Sequence, residues 1–177
     1  MSRSRIMSMR IVLAGALLFV LATSIASGDP YAEGPKESGW KPDNGLHVYC
    51  WGNDFDGDAI RNGVDYAFNN LEDETSMTKN KIPDCQSTTD VIWHTSNDNS
   101  IDGSYICQNF AGASRCEQAV ARINPANMGS QDDRKQTACH ETGHSVGLTH
   151  AADDCLSGNS SEQHYSSHHE GHINNDR

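Results

Sequence analysis

The hydrophobic and polar positions along the chain change period several times, and each change marks an element. Ile11–Ala26, "IVLAGALLFVLATSIA", is an apolar run behind Arg3, Arg5 and Arg10. A basic start, an apolar middle and small residues Ser24 and Ala26 at the end have the layout of a secretory signal, cleaved after Ala26. An uncleaved anchor helix is the alternative, but the run is short for a span and no basic stop-transfer cluster follows it. Residues 27–44 are rich in Gly, Pro and charge and read as a loose lead-in. "LHVYCW" (Leu46–Trp51) is a β-prone run and predicts the first strand. From Ala59 the period becomes helical, with Ile60, Val64, Ala67, Phe68 and Leu71 on one face and Asp58 as the expected N-cap.

Three further runs predict strands: "DVIWH" (Asp90–His94), "GSYICQNF" (Gly103–Phe110) and "QAVARINPA" (Gln118–Ala126). Pro125 places the third at an edge or marks its end. "SQDD" from Ser130 supplies a capping serine and an acid at the third helical position, so a second helix starts there. It should stop at Gly147, a residue suited to the left-handed position just past a helix. The remainder is polar and ends in the histidine-rich "HYSSHHEGHINNDR". There His168, His169 and His172 are expected on the outer face of a terminal helix with Ile173 facing inward, a second metal site being the alternative reading.

Length and charge narrow the possibilities. The 177 residues suffice for one domain. Loss of the three signal arginines would move the net charge from −11 to −14. Such an acidic chain is poorly suited to nucleic acid or anionic membranes. No segment beyond the signal is apolar enough to span a bilayer, so the expected mature protein is secreted, extracellular and a monomer. Six cysteines, an even number in an exported chain, predict three disulfides, for which fifteen pairings exist. Cys107 with Cys116 is a local clip, Cys139 with Cys155 would bracket a histidine cluster, and Cys50 with Cys85 would remain. Cysteine ligation of zinc is disfavoured, since no C-x-x-C occurs.

The bracketed cluster, "HETGHSVGLTH" (His140–His150), carries the chemistry. His140 and His144 lie one helical turn apart on the same face. Their spacing suits two nitrogen ligands of a tetrahedral Zn²⁺. Glu141 lies about 100° further round the helix, beside the ligands and placed to act as a base. Gly147 allows a sharp turn, after which His150 can return as third ligand. Three protein ligands with a fourth position open describe a catalytic rather than a structural zinc. At this chain's composition, chance produces the eleven-residue pattern about once in ten thousand such sequences.

"HETGHSVGLTH" resembles the extended zinc-binding motif of the metzincin clan of metallopeptidases. Chain length, cysteines and "CLSG" downstream are similar to the small secreted bacterial matrixin-like and snapalysin-like members. The motif identity covers eleven residues, while the order of elements extends the likeness loosely over 45–177. The resemblance implies a single α+β catalytic domain over 45–177. It would have a twisted, mostly parallel or mixed sheet with an antiparallel edge strand, packed on the active-site helix and one further helix, with a short C-terminal subdomain. It further implies a secreted zinc endopeptidase binding one Zn²⁺ through His140, His144 and His150. Glu141 would be the general base for a zinc-activated water. A protein or peptide substrate would pair with the edge strand near Val120–Asn124.

The chain departs from the metzincin pattern at two places. Members of the clan carry a methionine in a turn below the metal, whereas the last methionine here is Met128 and Leu156 stands in "DCLSG". Such swaps usually cost under about 1.5 kcal/mol. Gly158 stands where some members have a tyrosine, leaving Tyr165 as the nearest candidate donor to a transition state. Snapalysin-type enzymes use Asp as third ligand, so His150 fits the broader clan. No cysteine precedes Cys50, which argues against a cysteine switch.

Alternative readings are a thermolysin-like site with Glu162 as third ligand, a non-catalytic zinc-binding module, and a metal scavenger using the histidine-rich tail. Asp54, Asp56 and Asp58 in "NDFDGD" lack the glycine and terminal glutamate of a calcium loop and read as a turn into a helix. His47 and His94 read as core or surface histidines. Three-histidine ligation requires neutral imidazoles, so zinc content and activity should fall together below about pH 6. Dialysis against acidic buffers followed by metal analysis checks this, and full zinc at pH 4 contradicts it.

Overall fold

Strands need neighbours for their backbone groups, and here six strands, four of them from β-branched and aromatic runs, form one sheet. The computed structural model describes residues 40–112, 114–150, 153–158 and 160–175. Its elements run β1 (Lys41–Pro42), β2 (Leu46–Trp51), α1 (Asp58–Glu74), β3 (Thr78–Lys81), β4 (Val91–Thr95), β5 (Gly103–Phe110), β6 (Arg115–Ile123), α2 (Gln131–Ser145) and α3 (Ser167–Asn175). The expected signal segment, 1–26, and most of the lead-in lie outside the described residues. The architecture is a single α+β domain whose strand pairings are parallel except for β5 with β6.

The strand order is β1-β6-β4-β2-β3, with β5 also paired to β6. This corrects the expected edge near Val120–Asn124. Val120–Ile123 pair in parallel with Ile92–Thr95 of β4 and antiparallel with β5 on the other side. The N–H of Asn124 goes to the Asp102 carbonyl at 2.8 Å. Pro125 lies past the strand, where it opens a short 3-10 helix, Pro125–Asn127, so its missing N–H interrupts no ladder. The antiparallel outer strand is β5.

Two further differences concern the start of the chain. Lys41–Pro42 join the sheet beside Arg115–Cys116, and Trp40 packs on Phe110 at 4.5 Å between ring centroids, so these residues of the expected lead-in belong to the domain. The N-cap of α1 is Gly57, at φ 108°, and Asp58 is the first helical residue.

α1 presents Ile60, Val64, Ala67, Phe68 and Leu71 to the core, as its spacing predicts. Phe68 stacks on Tyr49 of β2 at 3.8 Å, and Trp93 of β4 meets it edge-on. Ala138, Val146 and Leu148, in and just after α2, belong to the same cluster. Both helices therefore share one core, and α2 is fixed against the sheet along its buried half. All three expected disulfides are present: Cys50–Cys85, Cys107–Cys116 and Cys139–Cys155. Three bridges suit an oxidising, extracellular setting. Among the described residues no helix is long and apolar enough to cross a membrane.

One buried polar pair ties β2 to α2. His47 contacts the Ser145 hydroxyl at 2.8 Å, and its other ring nitrogen lies 3.8 Å from the Asp90 carboxylate, which accepts from the Val48 N–H. Burial lowers the His47 imidazole to about 4 and raises the Asp90 carboxyl to about 7. Asp90 alone would favour folding at low pH and lose that contribution as pH rises through about 7. His47 alone would lose stability as pH falls from its unfolded value of about 6.5 toward about 4. Between these limits the two effects cancel, because folded pair and unfolded chain each carry one proton. Asp90→Asn should expose the His47 slope, with stability falling by about 1 kcal/mol per pH unit on acidification. Urea denaturation of metal-free wild type and variant from pH 6.5 to 4.5 checks this, and equal slopes contradict it.

Candidate metal centre

α2 begins as its sequence predicts. The Ser130 hydroxyl accepts from the Asp133 N–H at 3.1 Å and the Asp133 carboxylate accepts from the Ser130 N–H at 2.9 Å. This reciprocal cap fixes where the helix starts and hence which face carries residues 140 and 144. The helix ends at Ser145, and Gly147 adopts φ 94°, which a side chain would strain. The chain thereby reverses, and Leu148 N–H returns to the Gly143 carbonyl at 3.0 Å.

The reversal brings His150 against the helical pair. His140, His144 and His150 offer nitrogens that all lie within 4.8 Å of one another, and no other such group of three occurs among the described residues. The Nε2 atoms of His140 and His150 are 3.1 Å apart. Two Zn–N bonds at a tetrahedral angle separate their nitrogens by about 3.3 Å, so the spacing fits a shared cation. His140 Nδ1 donates to the Cys155 carbonyl at 2.9 Å and His144 Nδ1 donates to the Leu148 carbonyl at 2.8 Å. A carbonyl can only accept, so both rings carry the proton on Nδ1 and leave the Nε2 lone pair for a metal. Burial lowers the proton affinity of both imidazoles, that of His144 to about 3 with His140 adding to the effect. They stay neutral where exposed histidines begin to charge, so protonation of these two rings sets in at lower pH than the value of about 6 expected from the sequence.

Glu141 is buried beside them, and its Oε2 has no hydrogen-bond partner among the described residues. An unpaired buried carboxylate oxygen is costly and calls for an explanation in terms of an incoming group. Burial pushes this carboxyl up to about 8, and a neighbouring cation would oppose that shift. The cleft in front of it holds about 210 Å³ and is lined by Ile101, Asp102, Gly103, Thr137, His140, Glu141, His150 and Gly158. Gly103, the first residue of β5, touches the carboxylate: a β-carbon there would lie 2.4 Å from Glu141 Oε1. Only glycine lets the strand start so close to the base. Spacing in the sequence carries no signal for this contact.

The floor is built by the turn after His150. Asp154, also unsuspected from sequence, accepts from the Leu156 N–H at 2.9 Å, the Ser166 N–H at 3.0 Å and the His169 ring. Burial alone would raise its carboxyl, but His169 and the two N–H groups hold it down to about 2. Leu156 is fully buried against Gly143 of α2, so an apolar side chain fills the place below the helical ligands. Cys139–Cys155 locks that turn to the helix, and closing a loop of this length stabilises by about 3 kcal/mol.

Other candidates are placed differently. Glu162 is exposed and outside the histidine group. Tyr165 is buried and donates to the Cys139 carbonyl at 3.2 Å, so it braces α2 and does not line the cleft. His169, expected on the outer face of the terminal helix, is 1% exposed, because it points at Asp154. Ile173 is buried as expected. Asp54 pairs with His94, and Asp56 accepts from the Gly57 N–H. His47 is a buried histidine held by Ser145.

No protein-family model matches the chain, and comparison with curated proteins finds no match. The site therefore stands on its own geometry: a three-imidazole group able to hold a metal ion, with a buried carboxylate next to it. His150→Ala should weaken zinc binding by at least about a hundredfold, whereas Glu162→Gln should leave it unchanged. Equilibrium dialysis with a competing chelator measures both. Retention of zinc by His150→Ala would return Glu162 to consideration.

Proposed function

We propose that this chain is a secreted zinc-dependent endopeptidase of metzincin type. The observation that carries the reading is the unpaired, buried carboxylate of Glu141 beside three convergent imidazoles at an open cleft. A site built only to hold a metal has no need of an acid there, and would not leave its oxygen without a partner.

A zinc ion held by His140, His144 and His150 would supply Lewis acidity, polarising a carbonyl and lowering the pKa of a water. Glu141 takes a proton from the attacking water and returns it to the leaving amine. The protein walls around Glu141 shield it from bulk water, which strengthens its interaction with charge developing in the cleft. Proximity also matters, and Gly103 lies so close to the carboxylate that a β-carbon there would come 2.4 Å from Glu141 Oε1.

An extended peptide would lie along β5, which pairs with β6 on one side and begins at the cleft. Its backbone groups give affinity for any sequence, and side-chain pockets set preference. This moves the expected docking strand from Val120–Asn124 to Gly103–Phe110. Leu156 supplies the apolar floor in place of methionine, with a volume similar enough to keep the turn packed.

Cleavage of an unfolded protein by residues 27–177, with zinc quantified, tests the reading. The chain should cut, and Glu141→Ala should keep its zinc while losing at least about a thousandfold in kcat. Gly103→Ala should also keep zinc and lose activity by displacing the carboxylate. If wild type and both variants bind zinc and none cuts, the chain is a zinc-binding module.

A further inference from the structure

α3 carries a second pair of histidines with the geometry of the first. His168 and His172 are four residues apart, with ring centroids 4.6 Å apart and planes at 84°. The corresponding values for His140 and His144 are 4.6 Å and 88°. The Nε2 atoms of His168 and His172 face each other at 3.3 Å. That is the separation of two nitrogens on one tetrahedral cation, about 3.3 Å for bonds of about 2.05 Å. The separation lets both nitrogens reach the same ion.

The helix that presents the pair is held on its opposite side. Ile173 is 1% exposed, His169 is bonded to the buried Asp154, and the Asn174 side chain accepts from the Ser76 N–H and hydroxyl at 2.6 Å each. His168, by contrast, is exposed and His172 partly so. α3 has nine residues with Gly171 inside its last turn, a length and composition that hold a helix poorly without outside support. An ion bridging positions 168 and 172 closes that turn.

We propose that His168 and His172 form a second, exchangeable binding site for a borderline transition-metal ion. Two imidazoles without a thiolate or carboxylate select copper(II) first, then nickel(II) and zinc(II). Water completes the coordination on the exposed side, so the ion is held more weakly than one bound by three histidines and exchanges with the medium. The site lies outside the cleft and takes no part in the chemistry proposed there.

The test is a titration of the full chain with copper(II) after loading with zinc, followed by calorimetry and by the nitrogen couplings in the copper EPR spectrum. One further equivalent should bind, with two nitrogen ligands. His168→Gln and His172→Gln should each weaken it by at least about tenfold and remove one nitrogen. Far-UV circular dichroism of both variants should match wild type, because the substituted rings lie on the outer side of α3. The readout is a difference between wild type and variants, so it does not depend on how the His140 group is loaded. Unchanged copper binding in both variants overturns the proposal. So does loss of the further equivalent in His94→Gln or His164→Gln instead, which would place the ion elsewhere.

Discussion

The buried carboxylate of Asp154 is the constraint around which the three-histidine group is arranged. It gathers two backbone N–H groups and the His169 ring in a region closed to water, where an unpaired charge would be expensive. Those three bonds shape the turn that carries Cys155 and Leu156. The Cys155 carbonyl then orients His140, the Cys155 sulfur ties the turn to α2, and Leu156 packs beneath the helix. Three supports of the site thus depend on one side chain that touches no metal ligand directly.

The sheet contributes in a different way. Its parallel strands bury one face against α1 and α2, and that burial holds α2 in place while the helix exposes only one end of its ligand face to the cleft. β5 runs against the rest and starts beside Glu141 of α2, so strand and helix meet at Gly103 and Glu141 with no room between them. The outer strand and the end of the helix that carries the histidines are in this way built from adjoining residues.

Much of this was legible from residue order. The helical period of Ile60 to Leu71, the capping serine at 130, the glycine at 147 and the spacing of His140, Glu141, His144 and His150 each report a local rule, and local rules survive folding. The three cysteine pairs followed from proximity in the chain and from the bracketing of the cluster. What was not legible depends on partners far apart in sequence. β3, "TKNK", has no apolar alternation because it lies at the edge of the sheet with its side chains largely exposed, and its lysines are held by acids of α1. β6 looked like an edge because of Pro125, which belongs to the next turn. His169 turned inward because Asp154, fifteen residues earlier, receives it. Gly103 gave no warning, since its role lies in a contact with a helix more than thirty residues later.

The bridge from Cys139 to Cys155 encloses the whole ligand-bearing segment. A single backbone cut anywhere inside it opens a ring without releasing either end. The fragments stay covalently joined beside the three histidines, and the turn organised by Asp154 remains attached to the helix it supports.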